Sequence, residues 1–146
     1  MSLAPIVLFT YRRPKHTMQT VEALLRNKEA SFSDLIIYSD GPKDEKAVEG
    51  VKKNREYIRT ITGFKSIQII ERSHNWGLAN SIIDGVTTVI NKYGKGIIVE
   101  DDLITSPFFL QFMNEALELY EDSLDVISIH GYMYPVKKKM PESFFI

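Results

Sequence analysis

Five short runs of aliphatic and β-branched residues divide the chain, and each gives way to polar residues. They are Pro5-Ile6-Val7-Leu8-Phe9-Thr10, Leu35-Ile36-Ile37-Tyr38-Ser39, Ile67-Gln68-Ile69-Ile70, Gly96-Ile97-Ile98-Val99 and Val126-Ile127-Ser128-Ile129. Short runs of this kind, bounded by Gly, Asp and Ser, read as strands buried on both faces. The stretches between them carry helical spacing. Pro14 suits a first helical position, with Met18, Val21, Leu24 and Leu25 following on one face. Val48, Val51, Ile58 and Ile61 form a second stripe, and Leu78, Ile82, Val86 and Val89 a third. Ser106-Pro107 pairs a cap with a first-turn proline ahead of Phe109, Phe112, Met113, Ala116, Leu117 and Tyr120. This alternation predicts right-handed βαβ units: an α/β, Rossmann-like fold with a mostly parallel twisted sheet and helices on both faces.

Composition narrows the picture. The chain has 146 residues, enough for one domain. Eighteen basic residues against nineteen acidic ones remove the electrostatic case for a general nucleic-acid binder. The absence of cysteine removes disulfides, thiolate zinc sites and cysteine nucleophiles together. No apolar run approaches the roughly 20 residues needed to span a bilayer. Met1-Ser2-Leu3 reads as an expression remnant ahead of a domain that starts at Ala4, and Lys137-Lys138-Lys139 as a solvated loop. The apolar aromatic ending Ser143-Phe144-Phe145-Ile146 reads as a cut through a folding unit, where a natural terminus is usually polar.

In an open parallel sheet, ligands bind beyond the carboxyl ends of the strands, so the residues after each strand carry the candidate chemistry. The strongest signal is Glu100-Asp101-Asp102. Three consecutive carboxylates behind an apolar strand repel one another and resist burial. A hard divalent cation such as Mg²⁺ or Mn²⁺ relieves both penalties. Alternation along an extended segment puts Glu100 and Asp102 on one face and turns Asp101 away. The competing explanation is the dipole of the following helix, which favours negative charge nearby. Arg12, Arg13, Lys15 and His16, at the start of the first helix, oppose that helix's dipole, a cost that a bound anion turns into a gain; the alternative is that these long polar side chains lie in solvent. No Gly-rich phosphate loop is present, which argues against dinucleotide enzymes and P-loop ATPases.

Asp40-Gly41-Pro42 reads as a turn, with Gly41 supplying an unusual φ, and the Asp40 carboxylate suits a uracil N3–H or a ribose. Asn75 suits a cap for the third helix, and Gly77 a close approach of backbone. His74 and Trp76 have no such local purpose, and His130 lies at the equivalent end of the fifth run.

Thr10-Tyr11-Arg12-Arg13-Pro14, then Ser39-Asp40-Gly41, then Asn75-Trp76-Gly77-Leu78-Ala79-Asn80, then Glu100-Asp101-Asp102 resembles the nucleotide-sugar half of GT-A-fold glycosyltransferases. The Val99-Glu100-Asp101-Asp102-Leu103 form is most similar to family 2-like and N-acetylglucosaminyltransferase I-like sugar transferases, in which Glu-Asp-Asp replaces the commoner Asp-x-Asp. The resemblance covers nearly all of Ala4 to Pro135. It implies a nucleotide-sugar-binding domain over residues 4–135 and the start of a truncated acceptor-side portion over 136–146. It further implies that Thr10, Tyr11, Arg12 and Arg13 line the nucleotide pocket, that Asp40 recognises the base, and that Asn75, Gly77 and Leu78 brace the donor. Asp102 would bind Mn²⁺ or Mg²⁺ directly, with Glu100 as a further metal contact and Glu100 and Asp101 holding ribose, sugar or metal-bound water. The implied activity is sugar transfer from a UDP-linked donor to a glycan or lipid-linked acceptor in polysaccharide biosynthesis. The implied setting is the cytoplasm, peripheral at the inner face of the membrane in a bacterium.

The general base that inverting members carry in the acceptor-side portion is expected beyond Ile146. Asp122, Asp125 and Glu142 are the late acidic residues, and none follows a motif. The truncated face is expected to support self-association. Two other readings share the alternating pattern. A nucleotidyltransferase of the same fold usually has a Gly-rich segment after the first strand, and Thr10 through His16 contains no glycine. A non-catalytic, receiver-like binding module has its acidic pair after the first strand, where this chain has Thr-Tyr-Arg-Arg.

Overall fold

The computed structural model describes residues 3–132. Their order is β1 (Ile6–Thr10), α1 (Pro14–Leu25), a short 3-10 turn (Lys28–Phe32), β2 (Asp34–Ser39), α2 (Glu45–Ile58), β3 (Ser66–Glu71), α3 (Leu78–Tyr93), β4 (Ile97–Glu100) and α4 (Phe109–Leu119). The four strands form one sheet in the order β3-β2-β1-β4, and every pairing is parallel. The fold is α/β and Rossmann-like, as the alternation predicts.

β1 is buried at all five positions because both faces are covered. Ile6, Leu8, Leu35, Ile37, Ile97 and Val99 pack on one face with Val21 and Leu24 of α1, Ile58 of α2, and Leu110 and Met113 of α4. Val7, Phe9, Ile36 and Tyr38 face the other way, against Ile82, Val86 and Val89 of α3. The Phe9 and Tyr38 rings stack at 5.4 Å, and α3 lies close on them at Gly85.

The helical stripes are shifted at their margins. Met18, Leu25, Val48, Leu78 and Phe112 are exposed, while Thr17, Thr20, Ala47 and Asn54 take inward positions. The small or polar residue wins where two helices approach closely, because a larger side chain does not fit between them. Ile61 is buried beyond the end of α2. α4 begins at Phe109, two residues later than a cap at Ser106 requires, although the Ser106 hydroxyl accepts the Phe108 N–H at 3.1 Å.

The fifth run, Val126–Ile129, is not a strand. Ile129 packs against the core and Gly131 lies against Phe109 and Met113 of α4, so this segment is held by side-chain packing and forms no ladder with a described strand. The expectations for Met1-Ser2, Lys137-Lys138-Lys139, Glu142, the 136–146 portion and the Ser143–Ile146 ending lie outside the described residues. No helix among the described residues is long and apolar enough to cross a membrane.

Gly85 is a sharp test of the second layer. A Cβ there would sit 2.7 Å from Phe9 Cζ and 3.0 Å from Tyr38 Cε2, so Gly85→Val must displace a stacked ring pair. The expected loss is about 1–3 kcal/mol of unfolding free energy in urea denaturation. An unchanged midpoint would contradict this packing.

Candidate functional site

The strand order places a reversal beside β1. From β1 the chain steps to β2 and β3 on one side, then crosses to place β4 on the other. A crevice at such a point, outside the carboxyl ends of the strands, is where open α/β sheets bind ligands. Here that position lies between the residues after β1 and those after β4.

Arg13 bridges that crevice. Its Nη2 donates to Asp101 Oδ1 at 2.6 Å and to Asp102 Oδ2 at 3.1 Å. The hydrogen bond to Asp101 is the largest cause of a guanidinium pKa raised above its ordinary value; partial burial opposes it, and the remaining attraction to Asp101 and Asp102 adds to it. The strand ends at Glu100 and residues 101–102 form a turn, so strand alternation does not extend through the triplet. The pair joined by Arg13 is Asp101 and Asp102, not Glu100 and Asp102. Asp101 is buried, with its side chain 7% exposed, and its Oδ2 has no hydrogen-bond partner among the described residues. Glu100 and Asp102 are exposed.

On the β1 side, Thr10 is buried with its hydroxyl 3.5 Å from the Tyr38 carbonyl oxygen. The Tyr11 hydroxyl accepts the Lys43 N–H at 3.0 Å, and the Arg12 guanidinium lies 5.7 Å from the Tyr11 ring centre. Lys15 and His16 are exposed on the first turn of α1.

The other half of the rim is built around Asp40. Its Oδ1 accepts the N–H groups of Gly41 at 2.9 Å and Trp76 at 2.8 Å. Its Oδ2 accepts the Gly77 N–H at 2.9 Å and the Asn75 amide at 3.1 Å. Four donors match the roughly four lone-pair positions of a carboxylate. Asp40 therefore anchors the loop after β3, and a base N–H reaches it only by displacing one of these donors.

Asn75 does not cap α3. It donates to Asp40 and to the Gly41 carbonyl, and Gly77 stands at the N-cap. The two glycines exchange the roles their sequence contexts imply. Gly41 is the close approach, since a Cβ there would lie 2.4 Å from the His74 carbonyl carbon. Gly77 supplies the unusual backbone, with φ +79° and ψ 157°, a region essentially restricted to glycine. Leu78 is exposed at the first position of α3. His130 is exposed, with Nε2 3.3 Å from the Ser128 hydroxyl, and Asp122 and Asp125 are exposed after α4.

Three residues that the sequence reading passed over complete the rim. Arg55 of α2 donates to the carbonyls of Ser39 at 3.3 Å, Asp40 at 3.3 Å and Arg72 at 2.7 Å, and to the Ser39 hydroxyl at 3.1 Å. It closes the open ends of β2 and β3 from beneath. Arg72 stacks its guanidinium 3.5 Å from the Trp76 ring centre and pairs with Asp84. Asp84 is the only acidic residue in α3, a signal the sequence did carry; Arg55 lies in a helix dense with Lys, Glu and Arg, where nothing distinguishes it.

No family model matches the chain, and no curated protein sequence matches it. Among solved structures, the crystal structure of S. aureus TarS is similar to 82% of this chain with a TM-score of 0.56 and 10% sequence identity. The chain corresponds to 20% of the length of that chain. TarS is a glycosyltransferase, and the likeness to it is one of fold alone: the α/β, Rossmann-like arrangement of this sheet and its helices.

The Asp40 anchor makes a direct prediction. Asp40→Asn offers one acceptor oxygen where four donors converge, and is expected to lower stability by about 2–3 kcal/mol. Trp76 is the sole tryptophan, so the loosened loop should also shift its fluorescence towards that of a solvated indole. Emission and urea midpoint both unchanged would show that Asp40 does not hold the loop.

Proposed function

We propose that this chain is the donor-binding unit of a glycosyltransferase and that it holds a nucleoside diphosphate sugar, UDP-linked, across the crevice between β1 and β4. The observation that carries the proposal is the meeting of Arg13 with Asp101 and Asp102 at the strand-order reversal, with a buried Asp101 oxygen left without a partner. A buried unpartnered carboxylate oxygen costs about 1–3 kcal/mol or more, and a hydrogen-bond donor or a cation relieves it.

The donor set fits Mn²⁺ or Mg²⁺ in one particular way. Among the described residues no three acidic or histidine side chains are grouped as a ready metal site. Mg²⁺ is commonly held by one or two carboxylates with phosphate and water completing the shell. Asp101 and Asp102 are the pair for that role, and Glu100 is the adjacent carboxylate. When bound, the cation neutralises charge on the departing nucleoside diphosphate.

The chain's own groups do the rest. Arg13 lies beside the two carboxylates and is the nearest guanidinium for a phosphate oxygen. Tyr11, fixed through Lys43, offers its ring beside the nucleotide. Asn75 and Gly77 are held in place by Asp40, which keeps the rim shaped before a donor arrives. The acceptor in this reading is a glycan or a lipid-linked saccharide, and a cytoplasmic donor places the protein in the cytoplasm, at the inner membrane face where the acceptor is lipid-linked.

Thermal unfolding tests the proposal with a panel of UDP-, GDP- and dTDP-linked sugars, with and without Mn²⁺. A ligand at about 100 times its Kd adds about 2.7 kcal/mol. For a chain of this size that raises Tm by roughly 5–10 °C. The increase should require the metal and should disappear in Asp101→Asn. No metal-dependent increase with any donor would overturn the proposal.

A further inference from the structure

A cleft of about 600 Å³ lies outside the β1–β4 crevice, between the loop after β3 and one side of α3. Its principal wall residues are Trp76, Asn80, Ile83, Asp84 and Thr87. That volume lies within the ordinary 300–1,000 Å³ range of small-ligand sites. We infer that this cleft is a second ligand site, for a neutral saccharide.

The chemistry of the wall selects the ligand class. No lysine or arginine lines the cleft; its one basic side chain is the His74 imidazole, so it offers a phosphate neither a guanidinium nor an ammonium group. The charge of Asp84 is balanced by Arg72, which stacks on the indole of Trp76. What remains is the Trp76 indole with the His74 ring 6.1 Å from it, an isoleucine that is 65% exposed, and amide and hydroxyl groups along one helix. Asn80 is engaged through its amide N–H to the Trp76 carbonyl at 3.0 Å, and Asn75, at the mouth, through its amide N–H to Asp40 and Gly41. Each keeps its amide oxygen for an incoming hydroxyl. Thr87 makes no polar contact among the described residues. A saccharide presents complementary surfaces: C–H faces for Trp76 and Ile83, and hydroxyls that donate to amide oxygens and accept from a threonine hydroxyl.

The loop that forms the wall is rigid for reasons independent of any ligand. Asp40 holds Trp76 and Gly77 through their N–H groups, and Arg72 covers one side of the indole. A preformed aromatic wall avoids the ordering penalty that weakens saccharide binding. The inference does not rest on the donor proposal: Asn75 borders both sites, but Trp76, Asn80, Ile83, Asp84 and Thr87 line the cleft alone, while Arg13, Asp101 and Asp102 belong to the other site.

Trp76 is the sole tryptophan, so its emission reads this cleft directly. The 146-residue chain is titrated with maltotriose, cellotriose, chitotriose and mannotriose. At least one should give a saturable change in emission. Thr87→Tyr, on the exposed side of α3, should weaken that binding by about tenfold or more, equivalent to about 1.4 kcal/mol, without lowering Tm. Asn80→Ala provides an independent variant with the same expected weakening. Excess UDP with Mn²⁺ should leave the titration unchanged. The inference is overturned if no trisaccharide gives a saturable change or if both variants bind as tightly as the parent. It is also overturned if UDP with Mn²⁺ displaces the saccharide, which would assign the sugar to the β1–β4 crevice. Failure of the donor proposal is separate, since it is read from metal-dependent thermal shifts with nucleotide sugars.

Discussion

β1 and β4 run side by side in the same direction, so the carboxylates after β4 arrive next to the basic segment after β1. Asp101 is carried inward by the turn, and a buried carboxylate needs a partner. Arg13 supplies it at 2.6 Å while remaining half-exposed itself, which leaves the guanidinium accessible to solutes. The arrangement satisfies one Asp101 oxygen and leaves the other without a hydrogen bond. Arg13 and Asp101 come from segments 88 residues apart, and only the crossing of the chain to the far side of β1 brings them together.

The opposite half of the rim solves a different problem. Parallel strands that stop at a ligand crevice leave backbone carbonyls and N–H groups open. Arg55 takes the carbonyls of Ser39, Asp40 and Arg72 from below, and the Asp40 carboxylate takes the N–H groups of Gly41, Trp76 and Gly77 from above. The loop after β3 can lie this close only because position 41 has no Cβ. One half of the rim is thus saturated and shaped, while the other keeps a buried oxygen without a partner among the described residues, beside the half-exposed Arg13. The carboxylate and guanidinium networks that shape the loops lie on the β2–β3 side, and the Arg13–Asp101–Asp102 group lies on the β1–β4 side.

Much of this was legible in the sequence. The central strands β1 and β2 follow from unbroken apolar runs, because strands covered on both faces demand them, while β3 and β4 at the sheet edges keep exposed positions. The acidic triplet and the basic segment stood out because each is unfavourable where it lies unless something else approaches. The fifth run misled because Val126–Ile129 has strand composition but packs through Ile129 against the core, beside α4, and composition alone does not show which neighbour a segment has. The pairing within the triplet was misjudged because alternation was carried two residues past the end of β4, to Asp102. Gly41 and Gly77 were each read as special, but one is required by a contact 33 residues away and the other by its own φ, and the sequence distinguishes neither cause. Arg55 was invisible because a guanidinium that reaches back to strand ends looks, in one dimension, like its solvated neighbours.

The central claim is that the crevice between β1 and β4 takes a divalent cation together with a nucleoside diphosphate. Paramagnetic broadening locates such a cation without depending on turnover. In ¹H–¹⁵N spectra of the chain with UDP, substoichiometric Mn²⁺ should broaden first the amides of Arg12, Arg13, Glu100, Asp101 and Asp102, and Mg²⁺ in excess should reverse the effect. Broadening spread over exposed carboxylates such as Glu118, Asp122 and Asp125, with the crevice amides unaffected, would contradict the account.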